Sequence, residues 1–380
     1  MSSHATALRA PDRFSAAHIT KVKANAYTIP TDAPEADGTF EWNSTTLVVV
    51  EIEAGGVTGL GYTYSDACVA KLVRRTFADV LVGEEASHIR SLWLRMQRRA
   101  RNLGRDGVAA TAISALDCAL WDLHAKRLAV PLVTVLGQAR DSVPVYGSGG
   151  FTTYTDTQMR DQLQAWVHDD GCRWVKIKIG THPERDPSRL LCAREAIGPD
   201  TGLFIDANGA FDVISALRLA HRVADEDVQW FEEPVTSDDL AGLRRMRAEA
   251  PIQMDIAAGE YGYTIDYFVR MLEAGAVDVL QADASRCGGV TGFVEAAHLA
   301  SALHIPLSAH CAPALHLHVA AAVPGLRHQE WFHDHARIES MLFDGAPRVT
   351  QGTIAPDLSR AGCGLEFKRA DASRFAVDVR

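Results

Sequence analysis

The chain has 380 residues, 47% hydrophobic and 23% charged, enough for a large closed core plus a second module. Its formal net charge of −10 gives no electrostatic reason to expect nucleic acid or an anionic membrane as partner. An anionic small molecule stays possible, because a bound divalent cation and lysines can invert the local field.

Residues 1–18 read as a disordered leader; Met1 to Thr20 lacks the apolar core of a secretory signal. No apolar run approaches the roughly 20 residues of a membrane span. The seven cysteines are odd in number and form no C-x-x-C pair, which fits buried free thiols in a reducing cytoplasm. Residues 19–140 read as a small α+β domain. Ile19 to Pro30 and Thr45 to Ile52 are β-branched runs, and a turn at Gly55 and Gly56 leads to a third strand near Leu60 to Tyr64. The segment Thr31 to Trp42, which includes Phe40, reads as a loop that could close over a site. After Asp106, Ile113, Leu116, Leu120 and Leu123 fall on one helix face.

From residue 141 to 344 short apolar runs alternate with amphipathic stretches. The runs begin near Val143, Trp174, Leu203, Gln229, Met254, Val277, Pro306 and Gln329, eight strands with seven helices between them. Such alternation predicts a parallel sheet, and eight repeats predict a closed α/β barrel over an open sheet. No G-x-G-x-x-G follows a strand, against a dinucleotide fold. Residues 345–380 lack periodicity and are expected to return onto the N-terminal domain.

Ionisable residues recur at the strand ends: Lys176 and Lys178, Asp206, Glu232, Glu260, Asp283, His310 and Glu330. In a barrel these ends converge on one mouth. Asp206, Glu232 and Glu260 come from three adjacent strands; without a cation they would repel one another, and an all-oxygen set suits Mg²⁺. Alternation lets only one of Glu232 and Glu233 reach that ion. Lys176 and Lys178 share a strand face, and two nearby ammonium groups should depress each other's pKa and free an amine base. Asp283 could orient and activate His310. Glu330 could donate to a developing oxyanion or be structural. Phe151, Tyr154, Trp42, Asn208 and His333 are candidate substrate contacts; Asp334 and His335 lie beside the last without an assigned role. The pairs His316/His318 and His333/His335 raise a metallohydrolase alternative, disfavoured because the first pair falls where a helix would make its members diverge.

These residues sit in SALDCALWDLHAK, K-x-K, D-x-N, E-E-P, A-G-E and D-x-x-R-C-G-G-V-T-G before S-x-H. From about Ile19 to the C-terminus the chain resembles the enolase superfamily, in its mandelate racemase-like subgroup (the mandelate racemase/muconate lactonizing enzyme family). The resemblance implies a (β/α)7β TIM-like barrel under an N-terminal α+β capping domain. It implies Mg²⁺ on Asp206, Glu232 and Glu260, Lys178 as one base assisted by Lys176, the Asp283–His310 dyad as the other, and Glu330 as an electrophilic acid. It also implies a homo-oligomer and a small-molecule carboxylate substrate. The expected reaction removes the proton beside that carboxylate through an enediolate. Dehydration of an acid sugar to a 2-keto-3-deoxy acid is the first expectation; racemisation, epimerisation or lactone cycloisomerisation are the alternatives.

Overall fold

The computed structural model describes residues 16–379. The leader expected over 1–18 lies, as far as residue 15, outside the described residues; Ala17 is buried and His18 bridges Glu85.

Three antiparallel strands open the chain: β1 (Ile19–Ala36), β2 (Glu41–Ala54) and β3 (Val57–Tyr64). The run Leu47–Val50 is apolar without alternation because both sheet faces are covered. Val48 and Val50 join the core beneath the N-terminal helices, whereas Leu47 and Val49 join the core shared with the barrel. The loop expected over Thr31–Trp42 is largely strand. After a register shift between Pro30 and Glu35, β1 pairs again with β2 through Glu35–Trp42 and Ala36–Glu41. Asp37 closes the tip, its Oδ1 accepting from the amides of Thr39 (2.6 Å) and Phe40 (2.8 Å).

The helix expected after Asp106 spans Val108–Leu128. Ile113, Leu116, Leu120 and Leu123 pack in the N-terminal core as their spacing requires. Gly59 and Gly61 bring β3 against it: a Cβ at either would lie 2.1 Å from a carbonyl oxygen, of Ala119 and Ala115 respectively. The opposite face is also covered. Ser114 Oγ accepts from the Gly288 amide (2.8 Å), and Asp117 accepts from the amide and hydroxyl of Thr291 (2.9 and 2.8 Å). Ser114 and Asp117 are therefore part of the joint to the barrel.

The barrel strands are β4 (Val143–Gly149), β5 (Trp174–Lys178), β6 (Gly202–Asp206), β7 (Val228–Glu232), β8 (Asp255–Ala258), β9 (Val279–Ala282), β10 (Leu307–Ala309) and β11 (Leu326–Phe332). All are parallel in sequence order, and β11 pairs with β4 to close the ring. Each begins within three residues of its expected start. Low in the barrel, Tyr146, Phe204, Trp230 and His328 fill the interior, the Phe204 and Trp230 rings 5.3 Å apart. Beyond the barrel, Thr353–Ile354 pairs with β4 and Ala376–Val377 with β1. Among the described residues no helix is long and apolar enough to cross a membrane. All seven cysteines are free; Cys68 departs from the expected burial and is exposed.

Candidate active site

Lys178, Asp206 and Glu232 close β5, β6 and β7 and lie level, each paired in register with the next. Glu260, Asp283 and His310 follow the ends of β8, β9 and β10, and Glu330 sits within β11. Gly259 makes the approach of Glu260 possible. Its φ is +141°, and a Cβ there would fall 2.0 Å from the Gln281 carbonyl oxygen. Lys176, Asp206 and Glu232 are wholly buried, where ionisable groups need partners, and they meet one another.

Lys176 Nζ lies 2.7 Å from Glu232 Oε2, 2.7 Å from Glu330 Oε1 and 3.4 Å from Asp206 Oδ2. Lys178 Nζ contacts Asp206 Oδ2 and donates to Asn208 Oδ1 at 3.1 Å. The mutual depression expected of the two lysines is outweighed. Burial disfavours their charged forms, but Glu232 and Glu330 around Lys176, and Asp206 beside Lys178, raise both pKa values above the ordinary lysine value. Burial and the charge of Asp206 push Glu232 up to about 7. Against the penalty of its own burial, Lys176 and His310 hold Glu330 well below the usual carboxylate range. Glu330 accepts from Ser148 Oγ (2.6 Å) and the Cys311 amide (2.9 Å), hydrogen bonds that suit its carboxylate form.

The donor set fits a divalent cation. Glu232 Oε1 is buried and accepts no hydrogen bond, and Glu260 Oε2 meets only the His310 ring at 3.3 Å, so a hard ion would find both oxygens available. Ligand atoms of Glu232, Glu260 and His310 lie within 4.8 Å of one another, a group that includes two of the three expected carboxylates and not Asp206. Asp206 offers Oδ2 to the lysines and accepts from the Asn208 amide through Oδ1 (2.9 Å). Glu233 lies just past the end of β7. Its φ of +38° ends the strand, and its buried carboxyl is raised by burial and by Glu260, Asp206 and Glu232.

Across the mouth, His310 Nδ1 lies 2.9 Å from Asp283 Oδ2, and its Nε2 lies 3.3 Å from Glu260 Oε2. Burial disfavours the imidazolium, yet the Cys311 thiol, Glu260, Glu330 and Asp283 raise the His310 pKa well above its ordinary value. The ring stands beside a cavity of about 270 Å³, near the lower end for small-molecule sites of roughly 300–1,000 Å³.

Lys178, Asn208, Glu260, His310 and Trp42 all line this cavity, as does the β1–β2 tip with Asp37 and Phe40. Phe151, Tyr154 and His333 do not. Phe151 meets the Trp42 ring edge-on at 5.7 Å from behind and packs on Tyr154, and His333 Nε2 pairs with Asp32 at 2.9 Å. Trp42 is fixed by donating to Glu35 Oε2 at 2.8 Å. The alternative histidine pairs are occupied. His316 accepts from the Ala284 amide (2.7 Å) and His318 from the Val133 amide (3.2 Å), on different neighbours.

Cys311 and Ser148 were not named as site residues from the sequence, and Arg286 entered only as part of its motif. Ser148 is the polar position at the mouth end of β4, legible by the strand-end rule. Arg286 lies three residues past Asp283, where its pairing with Glu260 (3.3 Å) depends on tertiary approach.

Residues 24–137 match the family described as the mandelate racemase/muconate lactonizing enzyme N-terminal domain, and residues 158–372 the enolase C-terminal domain-like family. A mandelate racemase/muconate lactonizing enzyme-like protein from Rubrobacter xylanophilus superposes with a TM-score of 0.92 at 46% identity, covering 95% of this chain and all of that one. The 3,6-anhydro-alpha-L-galactonate cycloisomerase of Streptomyces coelicolor is 34% identical over 94% of this chain and 99% of its own length. L-talarate/galactarate dehydratase from Salmonella typhimurium, solved with Mg and L-lyxarohydroxamate, superposes with a TM-score of 0.87 at 27% identity, covering 99% of this chain and 97% of that one. By fold, by the order of its strand-end acids and bases, and by these matches, the chain belongs to the enolase superfamily, in its mandelate racemase/muconate lactonizing enzyme group.

Proposed function

We propose that the protein dehydrates a sugar acid to a 2-keto-3-deoxy acid, using Mg²⁺ on Asp206, Glu232 and Glu260. The observation that carries this reading is one cavity lined by both Lys178 and His310, whose strands lie three apart around the ring by the shorter way. When bound, the ion supplies positive charge against the negative charge that gathers on a substrate carboxylate as its α-proton leaves.

Lys178 takes the proton from C2 in its neutral form. Asp206 holds that amine protonated in the present arrangement, and drawing Asp206 towards a cation weakens the hold. Lys176 stays charged between Glu232 and Glu330 and fixes both. His310, held by Asp283, gives its proton to the departing C3 hydroxyl. The C2–H and C3–O bonds break, water leaves, and the enol tautomerises to the 2-keto acid. The buried aromatic layer below keeps bulk water from the lysines.

Two bases facing one cavity also serve racemisation. Cycloisomerisation is the second reading, favoured by the Streptomyces coelicolor relative. A cytoplasmic homo-oligomer is part of the same proposal, and gel filtration tests its assembly. The deciding experiment is a screen of sugar acids and their lactones with Mg²⁺ in D2O, following C2 exchange by NMR and 2-keto acid formation. Lys178→Ala is expected to abolish both. Metal-loaded protein that neither exchanges nor converts any of them would end the proposal.

A further inference from the structure

The cavity has two unlike ends. Its inner end holds the acids and the two bases. Its outer end is walled by the β1–β2 tip and by the segment after β11, with Asp37, Trp42, Ser44, Thr45 and His335.

His335 is buried with 7% exposure, and its ring stacks on Tyr64 with centroids 3.5 Å apart. Its Nδ1 receives the amide of Ala312 at 3.2 Å. An amide can only donate, so Nδ1 carries no proton, and the neutral ring must carry it on Nε2. Burial lowers the His335 pKa to about 3, so the ring is neutral at ordinary pH. The backbone sets this geometry: Cys311 and Ala312 adopt φ of +50° and +39°, which presents the Ala312 amide to the ring. The side chain is thus a fixed, uncharged hydrogen-bond donor.

Charge at the outer end points the same way. Among the described lining residues the cations are Lys178, Arg286 and His310, and each already meets carboxylates. Arg286, the one whose fork could extend outwards, lies 3.3 Å from Glu260 and 3.5 Å from Asp283. The outer wall adds the carboxylate of Asp37 and the hydroxyl-bearing residues Ser44 and Thr45. A second carboxylate on the substrate would meet no unspent cation there, and the charge of Asp37, although its Oδ1 is occupied in the turn, adds to the repulsion.

We propose that this site selects sugar monocarboxylates over dicarboxylates, with His335 donating from Nε2 to a hydroxyl at the far end of the substrate. The proposal rests on the function given above and names its substrate class. His335 is a specificity residue and takes no part in proton transfer at C2.

The test uses full-length protein loaded with Mg²⁺. Calorimetric affinities and kcat/KM are measured for five- and six-carbon aldonates and for aldarates of matched configuration. Aldonates are expected to lead at least tenfold in both. Aldarates that bind and turn over as well or better overturn the proposal while leaving the dehydratase reading intact. Preferential aldonate binding without turnover or C2 exchange supports the selectivity and removes the reading beneath it. Deoxy aldonates, lacking one distal hydroxyl at a time, locate the contact. One of them should bind wild type about tenfold more weakly than its parent, the scale of one hydrogen bond. His335→Asn keeps an acceptor for the Ala312 amide and withdraws the donor, so it should bind parent and analogue alike; His335→Gln, with an amide nitrogen near the place of Nε2, should restore the difference. A discrimination that survives in His335→Asn, or a deoxy series that is flat in wild type, overturns the role of His335.

Discussion

Asp283→Asn separates the two halves of the proposed chemistry. The carboxylate stands 2.9 Å from His310 Nδ1 and is buried, as is the ring. Asparagine preserves the shape and can still accept from the Ser285 amide, now received at 2.7 Å, so the fold should survive. What is lost is one negative charge beside the imidazolium and, with an amide nitrogen at the place of Oδ2, the acceptor for its Nδ1–H. At a charge separation of about 4 Å and an effective dielectric constant of about 20, that charge is worth about 4 kcal/mol. A step that needs protonated His310 should then slow by about three orders of magnitude. Lys178 lies on the other side of the cavity and keeps its partners Asp206 and Asn208. In D2O with Mg²⁺, the variant should still exchange the C2 hydrogen of a substrate at a rate within about tenfold of wild type, whereas 2-keto acid formation should fall about a thousandfold. Product formation within fivefold of wild type, in protein of unchanged circular dichroism, would refute the assignment of His310 as the acid.

Excess chelator should abolish turnover, and Mg²⁺ should restore it better than Ca²⁺, whose larger and looser coordination fits a compact carboxylate set less well; a steady-state assay across the metal series checks this, and undiminished activity in chelator would exclude the ion. Gly61→Ala should destabilise by about 1–3 kcal/mol, read from urea unfolding, because its methyl would lie 2.1 Å from the Ala115 carbonyl oxygen; an unchanged midpoint would show that β3 and the helix can move apart freely. Asp117 is pushed up to about 7 by burial, so between its unfolded value near 4 and that value the native state holds more protons than the unfolded one. Its contribution is therefore full below about pH 4 and is lost as pH rises through 7. Asp117→Asn should flatten that fall in a series of thermal melts, and a slope equal to wild type would contradict the buried acid.

The barrel was legible because each strand combines a short apolar run with a chemically useful residue at one end, and the chain repeats that unit. Lys176 and Lys178 bury as the period of two requires, with Val175, Ile177 and Ile179 on the other face. The N-terminal hairpin misled at Thr31–Trp42 because that stretch lacks the β-branched run of its neighbours, whereas a register shift after Pro30 lets pairing resume at Glu35. Periodicity also assumes that a strand continues. Glu233 and Cys311 sit at positive φ just past strand ends, and there the backbone, not alternation, decides where a side chain goes. Phe151 was sought in the pocket because it follows β4, yet Trp42 from a distant strand lies between them. The charge state of Lys178 could not be read from its neighbour in sequence, because Asp206 and Glu232 arrive from other strands.

The stacked rings of Phe204 and Trp230, with His328 tilted against both, make the barrel a blind well rather than a tunnel. Whatever enters must come past Trp42 and the Asp37 tip, and whatever is expelled must leave by the same door. A bulky group fixed at that rim should therefore slow arrival and departure together, leaving the chemistry at the bottom untouched.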